Sequence, residues 1–156
     1  MQEGEPESEI DIDADSDTDT MSESIEMYLK EIYILSKDGD PARTGRIADR
    51  LGVSPPSVTE MLRNLEEDGL VEYEKYKGAR LTPDGEERAR SLLKKHCLIE
   101  RFLVKFLDVN DGFHDEACRI EHVMSDDVAS ELSELVDQEP ECPDCYSAEL
   151  QHCAKL

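Results

Sequence analysis

Between Arg43 and Gly69 two short amphipathic runs are separated only by Gly52-Val53-Ser54, and this punctuation constrains the fold more than any other feature. Thr44 is placed to cap the first run, which carries Ile47, Ala48 and Leu51 on one face, and Gly52 supplies a left-handed stop. Ser54 is the N-cap of the second run. Pro55 and Pro56 occupy its first turn, where a missing amide hydrogen costs nothing, and Val58, Met61, Leu62 and Leu65 form its buried side. Two helices joined so tightly make a helix-turn-helix. Leu70 to Tyr76 then alternates as a strand, Lys77-Gly78 turns, and Ala79-Arg80-Leu81 returns, which predicts the hairpin that such modules carry as a wing.

The flanking segments are helical. Ile25, Tyr28, Leu29, Ile32 and Leu35 recur at three and four from Ser22 to about Ser36, ended by Asp38-Gly39-Asp40-Pro41. Thr82-Pro83 opens a long helix to about Leu107, Asp108 to Phe113 breaks it, and Ser125 can cap a last helix with Val128, Leu132, Leu135 and Val136 on one side. The expected fold is mainly α: a winged helix-turn-helix over 21–83, then a helical metal-binding and dimerisation domain over 84–138. Residues 1–20 alternate acids with small polar residues, contain no Lys or Arg, and are expected to be disordered; 139–156 form a cysteine-containing tail.

The chain has 39 acidic against 17 basic residues, a formal charge of −22, which by itself argues against nucleic acid. Distribution matters more than the sum. The second helix of the motif should expose Ser54, Pro56, Ser57, Thr59, Glu60, Arg63 and Asn64 to base edges, while Arg43, Arg46, Arg50, Lys75, Lys77 and Arg80 are placed for phosphates. Glu60 repels phosphate and suits only a cytosine amino group. The general acidity suits work in concentrated salt, where carboxylates keep a surface hydrated, so a halophilic host is inferred. No run reaches the roughly 18 apolar residues of a membrane span, and the acidic start is unlike a signal peptide, so a cytoplasmic protein with reduced thiols is expected.

His114, Cys118, Glu121 and His122 fall within nine residues and, at helical spacing, within about a third of the circumference, so nitrogen, sulfur and carboxylate donors converge. A core helix would place Leu or Ile on that stripe. His96 and Glu100, four apart on the long helix, can face the same point. No zincin His-Glu-x-x-His occurs and no nucleophile is paired with a base, so neither catalysis nor a small-molecule substrate is expected.

From about Met21 to Val136 the chain resembles the diphtheria toxin repressor family of metal-dependent transcriptional regulators, of the iron-dependent type. The resemblance rests on Glu26-Met27-Tyr28-Leu29, Ser57-Val58-Thr59, Leu81-Thr82-Pro83, Lys95-His96 with Glu100, and the run from His114 to Ser125. It implies a homodimer that binds double-stranded operator DNA when metal is bound. It further implies a regulatory site of Met27, Cys118, Glu121 and His122, with an ancillary site of His96, Glu100 and His114. Manganese-type relatives place carboxylates at the positions of Met27, Lys30 and Cys118. The thioether and thiol here favour Fe(II), with Mn(II) the alternative, and also accept Co(II), Ni(II) or Zn(II). Longer relatives complete the ancillary site from a C-terminal SH3-like domain for which this sequence has no room, so that site is expected to be weaker or completed by water. Cys142, Cys145, His152 and Cys153 can be read as a second metal site or a redox pair. The alternative functional reading is a thiol-based redox regulator of DNA binding.

Overall fold

The computed structural model describes residues 16–136 together with 146, 147, 149, 150, 152 and 153, with side chains from 21 onward. Helix α1 spans Ser16–Leu35, so 16–20, expected to be disordered, belong to a helix; 1–15 lie outside the described residues. Leu29 and Ile32 of α1 are fully buried against α2 (Thr44–Leu51) and α3 (Pro55–Glu67), where they meet Ile47, Val58, Leu62 and Leu65. Ser54 caps α3 by accepting from the Ser57 amide at 3.3 Å. Thr44 does not cap α2: Arg43 holds the N-cap position without a side-chain bond, and Thr44 is the first helical residue.

The wing is β1 (Val71–Glu74) paired antiparallel with β2 (Gly78–Leu81), Val71 opposite Leu81. Ala42 and Ala79 exchange backbone hydrogen bonds of 2.9 Å, tying the wing to the segment before α2. This approach requires Gly78, at φ +124°, because a Cβ there would lie 2.4 Å from the Ala42 carbonyl oxygen.

Thr82 caps α4 (Pro83–Leu107), accepting from the Gly85 amide at 3.2 Å and donating to the Gly69 carbonyl at 2.6 Å. Two short helices follow, α5 (Phe113–Ile120) and α6 (Asp126–Val136); Lys95 of α4 holds the loop between them through the Met124 carbonyl at 2.9 Å and Asp126 at 2.8 Å. Of the apolar side expected on α6 only Val136 is buried; Val128 and Leu135 are exposed, as are Phe106, Leu107 and Val123. Two further strands, β3 (Tyr146–Ser147) and β4 (His152–Cys153), pair antiparallel and were not expected. Tyr146 and Cys153 pack with Ile34 of α1 and with Leu93 and Cys97 of α4 in a second buried cluster. No described helix is long and apolar enough to cross a membrane.

Candidate metal centre

Three helices converge where α1 crosses the second half of the chain. One turn of α4 presents His96 and Glu100, both fully buried, and one turn of α5 presents His114 and Cys118. Glu121, the residue at which α5 ends, turns its carboxylate into the same space. His96 is the hub: Nδ1 lies 2.5 Å from Glu121 Oε2 and Nε2 lies 2.5 Å from Glu100 Oε1. His114 Nδ1 reaches the same Glu100 oxygen at 3.0 Å, and Cys118 Sγ lies 3.6 Å from His114 Nε2 and 3.9 Å from His96 Nδ1.

These distances join the two expected donor groups, since Cys118 of the one sits with His96 and His114 of the other. Donor atoms of His96, His114 and Cys118 all lie within 4.8 Å of one another. Two donors held by one ion at about 2.0–2.3 Å stand at most about 4.6 Å apart, so the trio is close to chelating geometry. The donor set, imidazole and thiolate with carboxylate, fits a borderline divalent transition metal better than a hard cation. Met27, which is 42 % exposed, lines a cavity of about 380 Å³ that is also walled by Cys118, Glu121, His122, Lys30 and Tyr146. His122 engages α1 through Nδ1 and Glu26 Oε2 at 2.7 Å, with its Nε2 3.5 Å from Glu121.

Proton affinities follow from this crowding. Burial opposes charge on His96, but hydrogen bonds to Cys118, Glu100 and Glu121 outweigh it and raise its pKa to about 10. Hydrogen bonds to Cys118 and Glu100 raise His114 to about 9. Burial would keep the Cys118 thiol protonated, yet the two imidazoles and the Lys30 charge pull it down to about 6. Burial likewise opposes the Glu100 charge, and His114 and His96 overcome it, to about 2. The centre is a set of imidazolium, carboxylate and thiolate charges that an ion can replace by displacing protons.

Several participants carry no local sequence signal. Lys30 places its ammonium 2.7 Å from Glu121 Oε1 and 3.7 Å from Cys118 Sγ. Cys153 donates its amide to Glu100 Oε2 at 3.1 Å, and the Tyr146 ring stands edge-on to His96 at 5.6 Å. Cys142 and Cys145 lie outside the described residues. His152 uses Nδ1 on the Cys153 carbonyl at 2.8 Å, with its ring against Phe113.

On the helix-turn-helix, Ser54, Pro56, Ser57, Glu60, Arg63 and Asn64 are exposed and Thr59 partly so. Arg43, Thr59, Arg63, Lys75 and Lys77 line one hollow between α3 and the wing, joined by Tyr76, whose ring stands 92 % exposed at the wing tip. Arg46 is exposed. Arg80 opens on the other side of the wing with Lys37 and Arg90. Arg50 departs from the phosphate grouping: its guanidinium is ion-paired with Glu31 and borders the Met27 cavity.

The model of the iron-dependent repressor N-terminal DNA-binding domain matches residues 20–79, and that of the iron-dependent repressor metal-binding and dimerisation domain matches 82–147. The chain is 41 % identical over 116 residues to the diphtheria toxin repressor of Corynebacterium glutamicum, covering 74 % of this chain and 51 % of that one. It is 39 % identical over 120 residues to an HTH-type transcriptional regulator of Methanocaldococcus jannaschii, covering 76 % of this chain and 96 % of that one. The fold superposes on the manganese regulator SloR with a TM-score of 0.66 at 38 % identity, covering 76 % of this chain and 56 % of that structure. The chain thus spans about half the length of the diphtheria toxin repressor that it matches. With both domain models matched in order and the fold shared, the chain belongs to the iron-dependent repressor family, a winged helix-turn-helix followed by a helical metal-binding and dimerisation domain.

Proposed function

We propose that this protein is a homodimeric, metal-activated repressor that binds double-stranded operator DNA and controls metal-uptake genes. The observation that carries the reading is the cavity at the seam between α1 and α5, bordered on one side by Met27 and on the other by Cys118, Glu121 and His122. A bound divalent cation would supply a crosslink of fixed coordination distance between the DNA-reading half and the rest of the molecule. Met27, Cys118, Glu121 and His122 would hold it, with His96, Glu100 and His114 forming the adjoining site. Glu26 positions His122, and Glu100 orients both His96 and His114 from the opposite side. Lys30 already ties α1 to Glu121, so metal exchanges one crosslink for another of different length, and the recognition helices of a dimer are re-spaced accordingly.

Arg43, Arg46, Arg63, Lys75 and Lys77 would contact phosphates around α3, with Ser57, Thr59 and Asn64 facing bases and Tyr76 extending the wing contact. The exposed apolar residues of α4 and α6 fit a subunit interface. Thioether and thiolate donors favour Fe(II), with Mn(II) the alternative. Anaerobic titration of Fe(II) and Mn(II) against a duplex selected from genomic fragments, at matched high salt, tests this: retardation should require metal and show a lower threshold for iron. Operator affinity indifferent to both ions would overturn it.

The depressed pKa of Cys118 favours a second reading, a thiolate redox switch. There, peroxide would change DNA binding in the presence of chelator, and Cys118→Ser would abolish that change.

A further inference from the structure

Tyr76 combines backbone strain with exposure. The wing turns at Glu74-Lys75-Tyr76-Lys77, where the Lys77 amide donates to the Glu74 carbonyl at 3.0 Å and Tyr76, at the third position, takes φ +69°. Positive φ there is normally given to glycine or asparagine, because a larger side chain crowds the backbone. The chain uses glycine two residues on, at Gly78, yet keeps tyrosine at 76. Packing does not offset the strain: the ring is 92 % exposed, with the Lys75 ammonium 5.1 Å from its centroid.

The surroundings of the ring indicate what it faces. A hollow of about 360 Å³ between the helix-turn-helix and the wing is walled by Arg43, Thr59 and Arg63 on one side and by Lys75, Tyr76 and Lys77 on the other. Lys77 is ion-paired with Glu74 at 2.6 Å, an exposed pair that phosphate readily replaces. Cations on both walls suit a sugar–phosphate strand running along the hollow. Such a strand is the ridge between the two grooves of a duplex, so with α3 in the major groove the tip of the wing lies over the adjoining minor groove.

We infer that Tyr76 is a specificity-determining residue that enters this minor groove and selects A·T pairs beside each half-site, an inference that rests on the DNA-binding reading above. The groove, about 6 Å wide, is too narrow for a helix but admits a single ring. Its A·T floor presents only acceptors, adenine N3 and thymine O2, to which the phenol O–H donates. A G·C pair instead sets the guanine 2-amino group, a donor, in the path of the ring. A·T runs also narrow the groove and strengthen its negative potential, which holds Lys75 and Lys77 on either side of the ring. The operator is thereby longer than the stretch that α3 covers.

The test is binding of the Fe(II)-loaded protein to three versions of the selected operator duplex. They differ only in the minor-groove stretches about five base pairs to either side of each half-site, which carry A·T, G·C or inosine–cytosine pairs. Inosine–cytosine keeps the major-groove edge of G·C but lacks the 2-amino group. Wild-type protein should bind the A·T and inosine duplexes alike and the G·C duplex about tenfold more weakly. Tyr76→Gly should bind all three equally, about tenfold below wild type on A·T, and its Tm should not fall, because glycine accepts the positive φ. Equal binding of all three duplexes by wild type would overturn the inference, as would a G·C penalty that survives Tyr76→Gly. An inosine duplex that behaves as G·C would place the reading in the major groove and overturn it equally. So would a lower Tm for Tyr76→Gly, by making the ring a support of the wing. A wild-type chain that retards none of the duplexes would overturn the DNA-binding reading itself, and this inference with it.

Discussion

Lys30 buries its ammonium between Glu121 and Cys118, two of the proposed ligands, so an incoming cation competes with a tethered one. Lys30→Met should therefore tighten divalent-metal binding by about tenfold, or 1.4 kcal/mol, in calorimetric titration. The same substitution removes one ion-pair partner of Glu121, which keeps His96, and should destabilise the metal-free fold by about 1–2 kcal/mol in denaturant unfolding, less than the loss of a sole buried partner. Weaker metal binding by that variant would contradict competition. The protons have a direction too. His96 and His114, raised to about 10 and 9, are protonated at neutral pH and must be neutral to ligate, whereas Cys118, lowered to about 6, is already thiolate. Metal affinity should therefore rise from pH 6 to pH 8, with protons released to the buffer, and fall more steeply below 6 as Cys118 protonates; affinity flat across that range would count against the assignment. The histidines, Cys118 and Glu100 were legible because neighbours four apart on a helix announce a shared face. Lys30 with Glu121 and His122 with Glu26 were not, because 91 and 96 residues separate partners that only tertiary packing brings together.

At the scale of elements, stops and caps read correctly where a side chain does the capping or a glycine takes positive φ. Ser54 and Thr82 each accept from a first-turn amide of their helices, those of Ser57 and Gly85, and Gly52 and Gly69 turn left-handed. Thr44 misled because nothing local distinguishes an N-cap from the first helical residue when the cap makes no side-chain bond. The start of α1 at Ser16 was missed because acids that signal disorder also suit the positive end of a helix dipole. The β3–β4 hairpin was missed because two-residue strands show no period. Gly85 shows how tertiary contact overrides propensity. Alanine is normally better than glycine in a helix by about 1 kcal/mol, but a Cβ at Gly85 would stand 2.0 Å from the Leu70 carbonyl oxygen. Gly85→Ala should destabilise the fold by about 2 kcal/mol and lower Tm by several degrees, measured by thermal unfolding. An unchanged or higher Tm would mean that α4 and Leu70, the residue before the wing, do not meet so closely.

Across the whole molecule, exposed Phe106, Leu107, Val123, Val128 and Leu135 lie on the half that follows the wing, while the cations around α3 lie on the other. A net charge of −22 hides that asymmetry, and only placing residues on elements recovers it. If the apolar residues pair two subunits, Leu135→Glu should convert dimer to monomer in sedimentation and weaken operator binding at least a hundredfold, because each half-site would then be bound alone. A dimer that survives the substitution would place the interface elsewhere. If metal replaces the Lys30 crosslink as proposed, that exchange biases the same two-subunit arrangement that DNA selects, and coupling of this kind is reciprocal. The most direct test is anaerobic Fe(II) titration of the dimer alone and of the dimer saturated with operator duplex. Metal affinity should be higher in the DNA complex by the same factor by which Fe(II) raises operator affinity; identical affinities in both titrations would contradict the account.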